Sequence, residues 1–226
     1  MRELFIANKN YSSWSLRPWV LMRMLDIPFT ERLFSFGTDN HERFRAFSPS
    51  AKMPTLKDGE TTVWDSLAIA EYLAEEVPAA WPADREARAF ARSAAAEMHS
   101  GFAVLRDVCT MNCGVRVSLT NVPDSLGRDV ARVAEIWSDG LSRFGGPFIA
   151  GRTFTAVDAM FAPVAFRVQT YGLALPERPA MYVARILDLG PMREWYADAL
   201  AEPFRDQPHE AELTRFGRVT ADLRTA

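Results

Sequence analysis

The segment NYSSWSLRPW, residues 10–19, holds three closely spaced serines that are able to contact an anion. Pro18 lacks a backbone N–H, so we expect it in the first turn of a helix. That position favours Ser13 or Ser15 as the capping residue and leaves Ser12 in the loop just ahead of the helix. A hydroxyl and free amides at the positive end of a helix dipole stabilise negative charge. Two interpretations stay open: the serines only cap and turn the chain, or Ser12 contacts a substrate.

The segment KMPTL, residues 52–56, places Pro54 immediately before a predicted strand. An X-Pro bond can be cis, and a cis bond here would turn the backbone of Met53 outward. An extended peptide could then pair with that backbone as it does with a sheet edge. An ordinary trans proline that opens an edge strand fits the same sequence.

Asp65 and Ser66 open the helix predicted after this strand region. Ser66 can cap the helix and hold a carboxylate at its N-terminus, while Asp65 can accept a hydrogen bond from an ammonium group. Capping alone would also explain both residues.

The elements that must position these residues alternate between strand and helix over the first 80 residues. Asp58-Gly59 stands between two strand-like runs and predicts a tight hairpin, because both residues tolerate positive φ. The expected order is β-α-β-α-β-β-α, with a buried strand at 4–7, a helix at 15–25, a strand at 29–34, a short helix at 42–47, the hairpin, and a helix at 65–77.

After the proline-containing segment VPAAWPADRE, the apolar spacing is helical throughout. We therefore expect an α+β domain at residues 1–78, a linker at 79–86 and an all-helical bundle at 87–226. One helix is predicted to carry the stripe from Phe90 to Leu105, and Thr155 and Asp158 form a capping box for another. Further helices are predicted around 130–144, 155–170, 180–188 and 192–201.

Composition excludes several classes of protein. The net charge of -3 lacks the basic surface expected of a nucleic-acid-binding protein, and no apolar run approaches the roughly 20 residues of a membrane helix. The two cysteines make no disulfide framework, which agrees with a reducing, cytoplasmic location. Cys109 and Cys113 are four residues apart and are expected on one helix face, as buried small hydrophobes. The three histidines lack the spacing of metal ligands, so no metal is expected, and we predict surface or capping roles for His41, His99 and His209.

Four segments in this order resemble the cytosolic glutathione transferase family over nearly the whole chain. NYSSWSLR is similar to the SSxSxR motif of its zeta-like serine members, and KMPTL to the segment that carries the family's cis-proline. WDSLAIAEYL resembles the helix that follows, and FIAGRTFTAVDAMFAP a segment of the family's helical domain. The resemblance implies a thioredoxin-like N-terminal domain followed by an all-α domain.

The resemblance also implies which residues bind glutathione. Ser12 would donate a hydrogen bond to the glutathione sulfur and, with the helix dipole, favour the reactive thiolate. The backbone at Met53 would pair with the cysteinyl part, and Asp65 and Ser66 would hold the γ-glutamyl end. The remaining candidates are Ser13, Lys52 and Pro54 for glutathione, and Tyr11, Trp14, Met111, Cys113 and Arg116 for a pocket that takes the hydrophobic electrophile. Ser13 and Tyr11 remain alternatives to Ser12 as the residue that contacts the thiol.

The resemblance further implies a homodimer that conjugates glutathione to an electrophilic small molecule. Trp14 stands where isomerases of the zeta type usually carry cysteine, and Trp19 where they carry a second basic residue. A maleylacetoacetate isomerase-like enzyme and a non-catalytic interaction module of the same fold remain alternatives. A thiol-disulfide oxidoreductase is disfavoured, because Ser12 and Ser15 occupy the positions expected for its cysteine pair.

Overall fold

The computed structural model describes residues 1–120 and 122–225. Its first part contains four strands and three helices in the predicted β-α-β-α-β-β-α order. They are β1 (Arg2–Ala7), α1 (Ser13–Met24), β2 (Thr30–Phe34), α2 (Asn40–Arg45), β3 (Thr55–Asp58), β4 (Thr61–Trp64) and α3 (Ser66–Glu76).

The four strands form one mixed sheet in the order β2-β1-β3-β4. β1 pairs in parallel with β2 and antiparallel with β3, and the predicted hairpin joins β3 to β4. Leu4 and Ile6 of β1 are fully buried, as a central strand covered on its faces requires. The thioredoxin-like N-terminal domain is thereby confirmed.

Helix α1 differs from the prediction at its beginning. Ser12, expected in the loop, is itself the N-cap residue, and the helix begins at Ser13. Pro18 lies beyond the first turn, in the interior of the helix. The expectation that proline would be confined to the first turn was therefore wrong, and it misplaced the helix start by two residues.

The second part of the chain is mainly helical, as predicted. A 3-10 turn (Pro78–Ala80) leads into α4 (Arg85–Ser100), α5 (Ala103–Val108), α6 (Asp124–Arg143), α7 (Ala156–Tyr171), α8 (Glu177–Asp188), α9 (Gly190–Ala201) and α10 (Gln207–Glu212). It also contains two strands that the sequence analysis missed, β5 (Val115–Leu119) and β6 (Gly217–Asp222), which pair antiparallel. The capping box of Thr155 and Asp158 at the start of α7 is present.

The single helix predicted from Phe90 to Leu105 is interrupted. Gly101 is extended and Phe102 has a φ of 58°, so the chain turns between α4 and α5. A side chain at Gly101 would approach the carbonyl oxygen of Glu97 to 2.8 Å. Cys109 and Cys113 therefore do not share a helix face: Cys109 ends α5 and Cys113 lies in the turn before β5. Both are nevertheless buried and free, as expected.

The two parts share one core. Helix α1 packs against α7 and α9, and fully buried Trp19 of α1 contacts Trp195 of α9 edge-on, with ring centroids 5.2 Å apart. None of the helices in residues 1–120 and 122–225 is long and apolar enough to cross a membrane.

Candidate functional site

A cavity of about 420 Å³ lies where the loop before α1 meets the helical domain. Its wall combines hydroxyls, aromatic rings and cationic side chains from both parts of the chain. It is lined by Tyr11, Ser12, Ser13, Trp14, Phe36, Asn40, Phe44, Ala51, Lys52, Met53, Arg106, Thr110, Met111, Arg167, His209 and Glu212.

The hydroxyl of Ser12 is free of any capping role. It makes no hydrogen bond to a backbone N–H of the first turn of α1 and instead donates to the side chain of Ser15, with 2.7 Å between the two Oγ atoms. Oγ of Ser15, fully buried, accepts a hydrogen bond of 3.1 Å from the backbone N–H of Ala7. Ser12 thus stands at the N-terminus of a helix, on the cavity wall, with its hydroxyl supported from behind by a second hydroxyl.

The loop that carries Ser12 is fixed by the helical domain. The carboxylate of Glu202 accepts hydrogen bonds from the backbone N–H groups of Lys9 (2.6 Å) and Asn10 (3.2 Å). The indole N–H of Trp195 donates to the carbonyl of Lys9 at 2.9 Å, and the side-chain amide of Asn10 donates to the carbonyl of Ala199. Residues nearly two hundred positions away therefore determine the shape of this loop.

The ring of Tyr11 faces the cavity, but its hydroxyl is engaged elsewhere. That hydroxyl donates to the carboxylate of Glu210 at 2.7 Å, and it accepts a hydrogen bond of 3.4 Å from the backbone N–H of Asp206. Burial, followed by the hydrogen bond to Glu210, raises the pKa of Tyr11 well above its ordinary value. Tyr11 is accordingly a neutral phenol at physiological pH, held towards the C-terminal segment.

The Met53–Pro54 bond is cis. Met53 and the exposed Lys52 line the cavity, whereas buried Pro54 lies behind them. In the described part of the chain, neither the N–H nor the carbonyl of Met53 has a hydrogen-bond partner. This segment therefore presents a free stretch of backbone beside Ser12.

Asp65 rather than Ser66 caps helix α3. Asp65 has a φ of 76°, and its Oδ1 accepts hydrogen bonds from the N–H groups of Leu67 (2.8 Å) and Ala68 (3.4 Å). Its second oxygen, Oδ2, lies 3.3 Å from Nε2 of His99 on α4. One carboxylate oxygen of Asp65 therefore caps α3, and the other contacts His99 of the helical domain.

Ser66 is the first residue of α3 and is buried. Its Oγ accepts a hydrogen bond of 3.4 Å from Arg17, whose guanidinium lies 4.3 Å from the ring centroid of Trp14. Asp65 and Ser66 do not line the cavity around Ser12, but Arg17 and Trp14 connect them to it.

Of the remaining pocket candidates, Met111 lines the cavity, whereas Cys113 and Arg116 do not. The thiol of Cys113 is buried 3.6 Å from the carbonyl of Lys9, and burial raises its pKa well above the ordinary value. Arg116 donates to nearby carbonyls and to the hydroxyl of Tyr196. The prediction placed them in the pocket because it continued a helix through residues that in fact turn into β5.

The sequence analysis did not find two arginines of the wall, Arg106 and Arg167. Arg106 comes from α5, whose position depends on the turn at Gly101, so no linear pattern marks it. Arg167 did leave a signal: it is a lone charged residue within the apolar run FAPVAFRV of helix α7. A charge on the buried face of a helix is costly and is seldom without a function.

The histidines also differ from expectation. The ring of His209 lines the cavity, stacks on Tyr11 with centroids 5.0 Å apart, and its Nδ1 lies 2.5 Å from Oδ2 of Asp206. His99 contacts Trp14 edge-on at 5.3 Å as well as Asp65. Surface or capping roles alone do not describe these two residues.

Three guanidinium groups give this region a positive electrostatic character. Burial lowers the pKa of Arg17, Arg106 and Arg167, and the charge of Arg106 further lowers that of the other two. None of the three forms an ion pair with a carboxylate within 4.0 Å in the described part of the chain. The site can therefore favour an anion, including a thiolate.

Two parts of the sequence match the sequence models of known domain families. "Glutathione S-transferase, N-terminal domain" matches residues 11–76, and "Glutathione S-transferase, C-terminal domain" matches residues 89–198. Together these matches cover well over half of the chain.

Two curated relatives match over short segments. A dichloromethane dehalogenase of Methylorubrum extorquens is 45% identical over 58 residues, which cover 24% of this chain and 20% of the relative. Human glutathione S-transferase theta-1 is 37% identical over 76 residues, 31% of this chain and 32% of the relative. The aligned segments thus span a third or less of each relative.

Solved structures share the fold over most of the chain. A glutathione transferase homologue from Burkholderia, crystallised with glutathione, is 22% identical with a TM-score of 0.68 and covers 88% of this chain and 97% of its own. A theta-class glutathione S-transferase from Xanthomonas axonopodis pv. citri, also with glutathione bound, is 21% identical with a TM-score of 0.63 and covers 86% and 96%. With both family descriptions matched in order, the chain belongs to the glutathione S-transferase family.

Proposed function

We propose that this protein is a glutathione S-transferase that activates the glutathione thiol at Ser12 and joins it to an electrophilic small molecule. The observation that carries the proposal is the hydroxyl of Ser12 on the cavity wall, at the N-terminus of α1 and backed by Ser15. A free thiol is mostly protonated at neutral pH, and only the thiolate is a strong nucleophile. A hydrogen-bond donor and a helix dipole at the sulfur both lower the thiol pKa.

The other parts of glutathione have matching groups around this point. The free backbone of Met53 suits the cysteinyl amide, because an extended peptide can form strand-like hydrogen bonds there. Asp65 and Ser66 suit the charged γ-glutamyl end, and Lys52 suits the glycyl carboxylate. Ser13 adds a second hydroxyl beside the thiol position, and Pro54 fixes the direction of the Met53 backbone.

The reaction then requires no further reactant. The thiolate sulfur forms a bond to the electrophilic carbon, the bond from that carbon to its leaving group breaks, and the leaving group departs with the electron pair. With an aryl chloride the products are the thioether and chloride, and the thiol proton passes to solvent. Aromatic side chains such as Phe36 and Phe44 on the cavity wall suit an apolar body of the electrophile.

The test is conjugation of glutathione to 1-chloro-2,4-dinitrobenzene, together with the pKa of the bound thiol from thiolate absorbance. We expect Ser12→Ala to raise that pKa and to lower kcat/KM by about 10- to 100-fold, the range for losing a hydrogen bond to a charged group. If the parent protein neither binds glutathione nor forms a conjugate, the proposed function is wrong.

Tyr11→Phe provides the matched comparison. In the parent protein the hydroxyl of Tyr11 donates to Glu210 and is not available to the sulfur. We therefore expect the bound thiol to have the same pKa in Tyr11→Phe as in the parent. A thiol pKa that rises with Tyr11→Phe and not with Ser12→Ala would transfer the activating role to Tyr11.

Within the family we place the chain among zeta-like serine transferases on its SSxSxR motif, with conjugation preferred over isomerisation. Trp14 occupies space beside the helix N-terminus, between Arg17 and Arg106, where isomerases of that type usually carry cysteine. Glutathione-dependent isomerisation of a maleyl compound with no net conjugate would instead support the isomerase alternative.

We also propose a cytoplasmic homodimer. The family resemblance motivates both statements, and the two buried free thiols suit a reducing compartment. Sedimentation equilibrium of the full chain measures the assembly: a mass near 25.4 kDa at micromolar concentration would contradict the dimer.

A further inference from the structure

Arg167 is a buried charge for which the described part of the chain supplies no partner. Its residue exposure is 6%, and in the described part of the chain its guanidinium makes no hydrogen bond and no ion pair. Buried arginines are normally paired, because removing an unpaired charge from water costs several kcal/mol. The guanidinium of Arg167 therefore has hydrogen-bond donors that the described residues leave unused at the cavity wall.

Arg106 increases the same positive field. Its guanidinium donates to the carbonyls of Met98 and His99 at the end of α4, which fixes its position without neutralising it. It also lies 5.0 Å from the ring centroid of Trp14, whose ring is shared with Arg17 at 4.3 Å. The charge of Arg106 lowers the pKa of both Arg17 and Arg167, because like charges repel, and an anion bound beside them would relieve this repulsion.

The position of these cations assigns them to the electrophile rather than to the glutathione backbone. Arg106 and Arg167 come from α5 and α7 of the helical domain, whereas Ser12, Lys52 and Met53 come from the thioredoxin-like domain. Glu212 is the only carboxylate among the lining residues that the structure describes, and His209 is already paired with Asp206. The part of the cavity wall that the helical domain contributes through Arg106 and Arg167 therefore carries surplus positive charge.

We propose that the electrophilic substrate carries a carboxylate, which Arg167 and Arg106 bind while the electrophilic carbon faces the glutathione sulfur at Ser12. Planar guanidinium groups match a carboxylate with two parallel hydrogen bonds, and desolvation inside the cavity strengthens them. The cavity volume of about 420 Å³ favours a compact substrate such as a single substituted ring. This inference rests on the proposed transferase function and specifies its substrate class.

The experiment compares two electrophiles of the same shape, 4-chloro-3-nitrobenzoate and 4-chloro-3-nitrobenzamide. In each, the sulfur–carbon bond forms, the carbon–chlorine bond breaks, and chloride leaves. We expect Arg167→Gln to lower kcat/KM for the benzoate by about 10- to 100-fold, as for a lost charged hydrogen bond, and to change it by less than about twofold for the benzamide. Arg106→Gln should also lower the ratio of kcat/KM for the benzoate to kcat/KM for the benzamide. Arg193 is an exposed arginine on α9, so Arg193→Gln is the matched control and should leave this ratio unchanged.

Two results would overturn the proposal. Equal losses for the acid and the amide, with a raised pKa of the bound glutathione thiol, would assign the arginines to the thiolate. Unchanged ratios in both variants would show that no substrate anion binds there.

Stability separates a binding role from a structural one. Arg167→Met removes an uncompensated buried charge and keeps much of the volume, so we expect a thermal midpoint at or above that of the parent. A strongly lowered midpoint would show that Arg167 holds the fold and would contradict its assignment as an unpaired anion ligand.

Binding measured by calorimetry without glutathione distinguishes failure of this inference from failure of the proposed function. If the parent conjugates neither compound, binding of the benzoate that weakens at least tenfold in Arg167→Gln would still support the anion site. Absence of benzoate binding to the parent would contradict it.

Discussion

At the scale of single residues, two hydroxyls divide the work at the site. The hydroxyl of Ser12 donates to Oγ of Ser15, which also accepts from the N–H of Ala7, so the proton of Ser15 is used in neither bond. In the proposed function the proton of Ser12 turns from Ser15 to the sulfur and Ser15 donates its own proton to Ser12, and each hydrogen bond in such a chain polarises the next. Ser15 thus acts through Ser12 as a positioning residue.

Replacing Ser15 with Ala should affect both the thiol and the fold. We expect the pKa of the bound glutathione thiol to rise, by less than in Ser12→Ala, because Ser12 keeps its hydroxyl but loses its support. The buried N–H of Ala7 is left without a partner, which should lower the free energy of unfolding by about 1–3 kcal/mol. Thiolate absorbance and urea unfolding measure the two effects, and a loss of stability with no change in thiol pKa would deny Ser15 the positioning role.

His99 should make stability depend on pH in the mildly acidic range. Burial, then the charges of Arg17 and Arg106, lowers its pKa below 6.5, against the opposing effect of Asp65. Near neutral pH the unfolded chain therefore binds more protons at this position than the folded one, so stability falls as pH decreases through the unfolded value. We expect the parent to lose more stability between pH 7.5 and 5.5 than His99→Gln, measured as urea midpoints. Parallel pH curves for the two proteins would contradict this.

At the scale of elements, the C-terminal segment forms one side of the site. The carboxylate of Glu210 accepts hydrogen bonds from Tyr11, Asn112 and Arg224, so α10 is tied to the loop before α1 and to the turn before β5. The pairing of β5 with β6 secures the end of the same segment. His209 and Glu212, which line the cavity, are held in place by these contacts.

Arg224→Gln should therefore disturb both stability and substrate binding. Its side chain is 5% exposed and pairs with Glu210 and Asp222, so removing the charge should cost about 2 kcal/mol of unfolding free energy and raise the KM for the electrophile. Arg215 is on the same C-terminal segment and forms an exposed ion pair with Asp107 of α5. Arg215→Gln breaks this pair and is expected to lower the free energy of unfolding by less than about 1 kcal/mol. If Arg224→Gln and Arg215→Gln lowered the free energy of unfolding equally, the buried contacts of Arg224 would not be important for stability.

At the scale of the whole molecule, the two domains are connected through buried side chains. Glu202 and Trp195 of the helical domain bind the backbone of the loop before α1, and Trp19 packs against Trp195. Fully buried residues of both domains belong to one hydrophobic cluster. The interface is part of the core rather than a contact between independent units.

This arrangement predicts a single cooperative unfolding transition. Tryptophan fluorescence reports on all six tryptophans, among them Trp19 and Trp195 at the junction, and far-UV circular dichroism reports mainly on the helices. We expect the two signals to give coincident midpoints in urea, because neither domain can open without exposing the shared core. Two separated transitions would contradict this coupling.

The sequence by itself determined the local elements and the types of side chain that they carry. Periodic apolar residues, the Asp58-Gly59 turn and the Thr155–Asp158 capping box act within a few residues of one another, so their outcome can be read from the chain. The same local signals placed Ser12 just ahead of α1 and Asp65 at the start of α3, although they assigned the capping roles to the wrong serines.

Only the tertiary structure decided what surrounds these residues. The break at Gly101, the pairing of β5 with β6 across about a hundred residues, and the burial of Arg167 depend on long-range packing, which leaves little periodic pattern in the sequence. Long-range packing also decides that the hydroxyl of Tyr11 donates to Glu210 and that Cys113 is buried in the core. The segments that carry Ser12, Met53 and Asp65 are thus local in origin, whereas the wall that contains Arg106 and Arg167 arises from the meeting of distant segments.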